Sequence, residues 1–263
     1  MDLNLRDRVV LVTGSNRGIG RAIVQSLVEE GAIAVVSGRD VEACRETVAE
    51  LGADRASFVT GDVSRPEEAE RIVAEVVDRH GRLDGLVNNA GRFGGGPIMG
   101  VTPEALREGF DTKVVGALAL AQAAVPALRR SDQARIVNIS GITAQRIMPG
   151  AAVTAIANSA MLALSAYLAR ELIADRISVN ALIPGYVLTG PWRGRTQALA
   201  DAEGLDFETA MGEVLKRQDM GHAPWGYPAD IAGATVFLLS AQAAFINGAA
   251  FRIDGGQFMA VQR

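Results

Sequence analysis

Short runs of β-branched and apolar residues alternate with helical stretches along the whole chain. Continuous apolar strands that are joined by helices predict a parallel sheet with helices covering both faces. The strands are expected at 8–13, 32–37, 57–60, 83–88, 135–140, 177–183 and 249–253, and the helices at 19–30, 40–51, 66–80, 103–128, 152–173 and 228–240.

The chain is long and apolar enough to bury a large core within one domain, with 263 residues of which 49% are hydrophobic. No internal repeat or linker divides it, so we predict a single α/β domain of Rossmann type with a doubly wound, mostly parallel, seven-stranded sheet. The glycine-rich stretch 91–96 is expected to form a surface loop. The segment from about 190 to 226 contains both tryptophans and one short helical stretch, which is typical of a lid or substrate loop.

Charge and cysteine content exclude several function classes. The net charge of −4 and the pI near 5.4 argue against a nucleic-acid binder. The single cysteine, Cys44, excludes an internal disulfide and a cysteine-rich metal site, and we expect a reducing, cytoplasmic location and no metal.

The N-terminus lacks the pattern of a signal peptide. The uncharged run 147–169 is long enough to span a membrane, but its many alanines, its polar interruptions and its lack of aromatic flanks predict a helix buried in a soluble assembly.

A glycine-rich turn connects the first strand to the first helix, with the sequence TGSNRGIG at 13–20. Glycines at 14, 18 and 20 permit a tight turn, close approach of the backbone to a phosphate, and close packing of helix on strand. The helix N-terminus then offers free N–H groups to a pyrophosphate. The turn therefore predicts a dinucleotide site that contains Gly14, Ser15, Asn16, Arg17, Gly18, Ile19 and Gly20.

The end of the second strand predicts which dinucleotide binds. Sites for NAD usually carry an acidic residue there, which bonds the ribose hydroxyls. This chain has Gly38 and Arg39 instead, and no carboxylate precedes Asp40. An arginine at this place, together with Arg17, suits a 2′-phosphate, whereas the alternative is a solvated arginine at a helix start. We therefore favour NADP(H) over NAD(H).

With these motifs and several later ones, nearly the whole chain resembles the short-chain dehydrogenase/reductase family, and in particular reductases of 3-oxoacyl-(acyl-carrier-protein) type. The later motifs are Asp62-Val63, NNAG at 88–91, Pro184-Gly185 with Thr189, and NGAAFRIDGG at 247–256. The resemblance implies that Asp62 and Val63 frame the adenine. It also implies that Asn89, Ala90 and Gly91 line the nicotinamide ribose, and that Pro184, Gly185, Val187 and Thr189 hold the carboxamide.

The family's chemistry rests on an asparagine, a serine and a Tyr-x-x-x-Lys pair. Tyrosine gives the proton, lysine lowers its pKa and holds the ribose, serine binds the substrate oxygen, and asparagine anchors a water. An ungapped alignment of the long helix implies that Thr154 stands at the tyrosine position and Asn158 at the lysine position. The usual spacing implies that Gly141 stands at the serine position and Lys113 at the asparagine position. All four residues thus differ from the family pattern.

Five residues are candidates for the missing chemistry. Lys113 and Asn158 present the family's Lys/Asn pair exchanged across the site, although a lysine at a solvated helix start is the alternative. Ser140 is next to the serine position, but successive strand side chains point to opposite faces. Thr154 carries a short hydroxyl that is a poor acid, and Tyr186 either faces the pocket or forms its wall.

Three functions are compatible with this pattern. The first is an NADP(H)-dependent oxidoreductase that interconverts carbonyl and hydroxyl groups of a small molecule with an unusual proton donor. The second is a silent family member that serves as a scaffold or as the partner of an active homologue, and the third is a non-redox reaction. The intact cofactor motifs favour the first. Because the stretches 114–128 and 147–169 lack the polar face of a surface helix, we also expect a dimer or tetramer, either of identical chains or with an active homologue.

Overall fold

A computed structural model describes residues 2–91 and 94–259, so Arg92 and Phe93 of the predicted 91–96 loop lie outside the described residues. The chain forms one seven-stranded sheet in the order β3-β2-β1-β4-β5-β6-β7, and every strand pair is parallel. Each strand lies within two residues of its prediction: β1 Val9–Thr13, β2 Ile33–Gly38, β3 Ala56–Thr60, β4 Gly85–Asn88, β5 Arg135–Ile139, β6 Ser178–Pro184 and β7 Ala250–Ile253.

Helices cover both faces of the sheet, as predicted for a doubly wound fold. Within 2–91 and 94–259 they are α1 Gly18–Glu29, α2 Val41–Leu51, α3 Pro66–His80, α4 Pro103–Phe110, α5 Gly116–Leu128, α6 Ala152–Glu171, α7 Gly190–Glu203, α8 Phe207–Arg217 and α9 Pro228–Leu239. Residues from α1 and α9 form the core on one face, with Leu27 and Leu239 fully or almost fully buried. Residues from α3, α5 and α6 form the core on the other face, with Ile72 and Leu120 at its centre.

The helix predicted over 103–128 is interrupted by a π-helical turn at Asp111–Val115. The Gly116 N–H closes this wider turn on the carbonyl of Asp111. Gly116 also passes so close to the carbonyl of Val63 that a Cβ would not fit there. Single π-helical turns inside helices frequently mark functional sites. This one contains Lys113.

The segment 190–226 differs from its prediction, because it forms two helices, α7 and α8, where one short helical stretch is expected. Pro191 occupies the first turn of α7, where its fixed φ suits a helix start. The Asp206 side chain caps α8 by accepting a hydrogen bond of 2.8 Å from the Thr209 N–H. Glycines at 190 and 194 weaken the helical pattern of α7 in the sequence and account for the error.

Helix α6 is both long and apolar. Among the described residues, only the stretch Ala152–Asp175 is long and apolar enough to cross a membrane, and the core helix of a globular protein has the same length and composition. One side of α6, including Val153, Ala157 and Met161, is buried. On the remaining surface Ile156 and Tyr167 are exposed.

Candidate active site

The glycine turn after β1 has the geometry that a phosphate-binding turn requires. Gly14 and Gly18 adopt φ values of 61° and 57°, in the left-handed region that favours glycine. A Cβ at Gly20 would lie 2.5 Å from the Gly14 carbonyl oxygen. No side chain of the described residues caps the N-terminus of α1 at Arg17. The first N–H groups of α1 therefore remain available to a pyrophosphate.

Hydrogen bonds fasten the glycine turn to its neighbouring strands. The Ser15 hydroxyl donates to the Val12 carbonyl at 2.6 Å and accepts from the Ser37 N–H at 3.0 Å. The Asn89 side chain donates to the Gly14 carbonyl at 3.0 Å. Because β1 and β4 are neighbours at the point where the strand order reverses, the predicted cofactor segments 13–20 and 89–91 meet at the usual dinucleotide position.

Two exposed arginines lie at the ends of β1 and β2. Arg17 directly precedes α1, and Arg39 lies 3.8 Å from a carboxylate oxygen of Asp62. Partial burial opposes ionisation of Asp62, but hydrogen bonds from Ser64 and the charge of Arg39 outweigh it and lower the pKa of Asp62. Arg39 is thus held only at long range and remains free to bind an anion at this rim.

Thr189 carries a buried hydroxyl with no hydrogen-bond partner among the described residues. Its methyl group lies 3.6 Å from the place where a Cβ of Gly18 would stand, so it borders the glycine turn. A buried hydroxyl without a partner is costly unless a bound molecule supplies one. The free helix end, the glycine cradle and this hydroxyl together fit a nicotinamide dinucleotide.

The other predicted cofactor residues lie along the same edge of the sheet. Gly38 has the Asn16 side chain against it, at 3.0 Å from its Cβ position. At the end of β6, the Gln257 side chain occupies the space beside Gly185, and its Oε1 accepts a hydrogen bond of 2.6 Å from the Tyr186 N–H. Val187 is buried and bridges to Gly226. Pro184 ends β6 directly before this group, while Ile19 is half-buried in the first turn of α1.

Lys113 places an ammonium group at the carboxyl ends of β4 and β5. Its Nζ donates to the Ser140 carbonyl at 3.4 Å and lies 3.5 Å from the Cβ position of Gly91. Burial lowers the pKa of Lys113 to about 8. Within the described part of the chain, no carboxylate forms an ion pair with it. The side chain is therefore turned toward the sheet, in contrast to the solvated alternative considered for it.

The Thr154 hydroxyl is bound to the backbone of Gly94. It donates to the Gly94 carbonyl at 2.9 Å and accepts from the Gly94 N–H at 3.2 Å. The Thr154 N–H points to the same carbonyl at 3.4 Å. Thr154 thus fastens the loop after β4 to the start of α6, and its hydroxyl proton is already used.

Asn158 fills the space in front of Gly141. Its Nδ2 lies 2.6 Å from the place where a Cβ of Gly141 would stand, and it donates to the Thr143 hydroxyl at 2.8 Å. Its Oδ1 is buried without a partner in the described residues. The Ser140 hydroxyl donates to the Asn158 carbonyl at 2.9 Å, so it too is engaged. Thr143 is absent from the sequence candidates, because a threonine in a short turn after a strand gives no signal of its own.

Tyr186 lies in an aromatic cluster with the two tryptophans of the segment 190–226. Its ring centroid is 4.2 Å from that of Trp192 and 5.8 Å from that of Trp225. Its hydroxyl contacts the Met148 sulfur at 3.8 Å, and burial raises its pKa to about 12. Tyr186 is therefore packed as a wall residue. The contacts of Lys113, in contrast, lie at the carboxyl ends of the strands.

A parallel, doubly wound sheet with a glycine turn at its switch point defines a dinucleotide-binding domain of Rossmann type. A family model described as enoyl-(acyl carrier protein) reductase matches residues 14–257. The chain belongs to the short-chain dehydrogenase/reductase family of oxidoreductases.

Relatives of known structure or annotated activity match this chain over nearly its full length. A solved structure of L-sorbose reductase from Gluconobacter frateurii, complexed with NADPH and L-sorbose, is 31% identical and has a TM-score of 0.94, covering 99% of this chain and 100% of that one. Sorbitol dehydrogenase from Cereibacter sphaeroides is 33% identical, over 98% of this chain and 100% of its own length. The 3-oxoacyl-(acyl-carrier-protein) reductase of Vibrio cholerae is 30% identical, over 98% and 100% respectively.

Proposed function

We propose that this protein is a cytoplasmic, NADPH-dependent reductase of a small-molecule ketone, in which Lys113 supplies the proton that a tyrosine supplies elsewhere in the family. The observation that carries the proposal is the position of Lys113. Its ammonium lies between the ends of β4 and β5, beside the cofactor segment that ends at Gly91, and burial has lowered its pKa to about 8.

The preference for NADPH rests on Arg39 and Arg17, which carry positive charge to the rim where a 2′-phosphate would lie. The G. frateurii reductase, with its bound NADPH, supports the same choice at 31% identity.

We infer that Lys113, Gly141, Thr154 and Asn158 occupy the positions of the family's asparagine, serine, tyrosine and lysine. The contacts support this inference in two ways. The Thr154 hydroxyl is committed to Gly94, which removes it as a proton donor. The Asn158 amide occupies the space that a serine side chain at 141 would need. Of these four residues, Lys113 is the one that remains able to give a proton.

The reaction balances with one hydride and one proton. Held at the glycine turn and by Arg39, NADPH would supply the hydride that the carbonyl carbon gains and would leave as NADP⁺. The Lys113 ammonium transfers a proton to the carbonyl oxygen, which yields the alcohol, and water then reprotonates the neutral amine. A pKa of about 8 keeps Lys113 mostly protonated near neutral pH while making it a stronger acid than an ordinary lysine.

The experiment is a measurement of NADPH oxidation with L-sorbose, simple ketones and acetoacetyl thioesters. The parent, Lys113→Met and Lys216→Met are compared, because Lys216 is the other lysine of the chain and its side chain is exposed. The proposal expects turnover by the parent and by Lys216→Met, and loss of turnover in Lys113→Met. A parent that binds NADPH but reduces no ketone would instead identify the silent subunit that the sequence leaves as the alternative.

A further inference from the structure

The Thr143 hydroxyl is joined to the space in front of Gly141 by the side-chain amide of Asn158. A side chain at Gly141 would meet the Asn158 amide nitrogen, at 2.6 Å from its Cβ position. That same nitrogen donates to Thr143 Oγ1 at 2.8 Å. Two short contacts through one amide thus connect the serine position to the Thr143 hydroxyl.

The hydroxyl proton of Thr143 is available. In its hydrogen bond with Asn158 the oxygen accepts, and no other hydrogen bond of this hydroxyl occurs among the described residues. The neighbouring hydroxyls differ, since Ser140 donates to the Asn158 carbonyl and Thr154 donates to the Gly94 carbonyl. Thr143 is half-buried, so its side chain is not enclosed by the core. A hydroxyl that accepts a hydrogen bond from an amide also becomes a better donor, because such chains polarise one another.

The Asn158 side chain has one polar atom that makes no hydrogen bond with the described residues. Asn158 Oδ1 is buried and has no partner within residues 2–91 and 94–259, and Asn158 itself is 3% exposed. An acceptor left in this state costs free energy unless a ligand donates to it. Asn158 therefore has one atom that donates to Thr143 and another that bonds to no group of the described residues.

We infer that Thr143 Oγ1 donates a hydrogen bond to the carbonyl oxygen of the substrate and so takes the part that serine plays at position 141 in the family. This role rests on the proposed ketone reduction. Thr143 holds and polarises the oxygen, Lys113 protonates it, and Asn158 is a positioning residue that fixes the Thr143 rotamer.

The test compares Thr143→Val, which keeps the shape and removes the hydroxyl, with Thr143→Ser, which keeps the hydroxyl. Thr209→Val on α8 is the control, because its exposed hydroxyl bonds only to Asp206 in the described structure. The readouts are kcat and KM for L-sorbose and acetoacetyl thioester at saturating NADPH, together with the Kd of NADPH. Loss of one hydrogen bond to a developing oxyanion lowers kcat by about 10²- to 10³-fold. We expect that loss in Thr143→Val, a parent-like rate in Thr143→Ser and Thr209→Val, and an unchanged NADPH Kd.

A purely structural role for Thr143 predicts a different pattern. If Thr143 only supports Asn158, then Thr143→Val has no further effect once Asn158→Ala has been made. If Thr143 touches the substrate, Thr143→Val lowers kcat in the Asn158→Ala background as well. Thr143→Val with parental kcat, while the parent reduces ketones, overturns the role of Thr143 alone. A parent that binds NADPH and reduces no ketone overturns the proposed function and this role together.

Discussion

The side-chain nitrogen of Asn158 lies 2.6 Å from the place where Gly141 would carry a Cβ. Real Cβ atoms do not approach a neighbour so closely, so any side chain at 141 must displace the Asn158 amide from Thr143. The two residues are therefore matched to each other. Gly141 and Asn158 thus form one structural unit, in which the asparagine fills the space that the glycine leaves open.

This pairing predicts a non-additive response to substitution. Gly141→Ala should destabilise the protein by about 1–3 kcal/mol, as overpacking in a well-packed site does. In Asn158→Ala the obstructing amide is gone, so Gly141→Ala should cost much less in that background. Urea unfolding of the parent, both single variants and the double variant measures the coupling. Additive free energies would show that the two residues are independent.

The pKa of Lys113 should be measurable directly, since Lys216 is the only other lysine in the sequence. Burial lowers the pKa of Lys113 from 10.5 to about 8. The NMR shift of a ¹³C-labelled lysine side chain should thus titrate near 8, and Lys113→Arg should remove that signal while Lys216→Arg leaves it. A Lys113 signal that titrates at the ordinary lysine value would contradict the burial of the ammonium.

The same shift makes stability depend on pH. The unfolded chain binds more protons than the folded one between pH 8 and 10.5, where the two pKa values of Lys113 lie. The contribution of Lys113 to the free energy of unfolding should therefore increase as the pH rises through that window. This increase should be absent in Lys113→Met. Urea unfolding of the two proteins across the window gives the difference, in which other titrating groups cancel. If the free energy of unfolding changes with pH in the same way for the parent and for Lys113→Met, the pKa of Lys113 is not lowered in the folded state.

Cofactor preference should depend on Arg39. One charge-assisted, bidentate phosphate contact is worth about 1.5–3 kcal/mol, or about 10- to 100-fold in affinity. Arg39→Ala should weaken NADPH binding by that factor and leave NADH binding unchanged. Arg45→Ala on α2, an exposed arginine that pairs with Glu42, is the matched control. Calorimetric titration with both cofactors decides it, and equal losses for NADPH and NADH would exclude a 2′-phosphate contact.

Exposed apolar side chains on α6 predict an assembly of subunits. Ile156 is 40% exposed and Tyr167 71% exposed, on a helix whose other side is buried. We expect a dimer or tetramer at micromolar concentration, and a smaller species for Ile156→Glu with Tyr167→Glu. Val41→Glu, on α2 and 42% exposed in the parent, should not change the mass. Light scattering that shows a monomeric parent would contradict the predicted assembly with identical chains.

The sequence predicts the sheet well because its strands are continuous apolar runs, which few other structures accommodate. Two structural features are not predicted from the sequence, each for a physical reason. The π-helical turn at Asp111–Val115 is followed by the close approach of Gly116 to Val63, a contact between distant parts of the chain that no local pattern encodes. Helix α7 is not predicted because its glycines weaken the helical pattern in the sequence.

The candidate site is predictable only where a residue must adopt an unusual conformation or carry a charge. Gly14, Gly18 and Arg39 are of this kind. The roles of Thr143 and Thr154 depend on which backbone or amide each hydroxyl meets, and no local pattern encodes those partners. The direction of the Lys113 side chain likewise follows from the π-helical turn that holds it.

The most direct test of the account is the rate of hydride transfer from bound NADPH to a ketone, measured in a single turnover for the parent and for Lys113→Met. Loss of a general acid costs about 10²- to 10⁴-fold, so Lys113→Met should be slower by that factor with an unchanged NADPH Kd. The parent rate should fall as the pH rises through 8, where Lys113 loses its proton, and the residual rate of Lys113→Met should not show this fall. A Lys113→Met protein that transfers hydride at the parental rate would contradict the assignment of Lys113 as the proton donor.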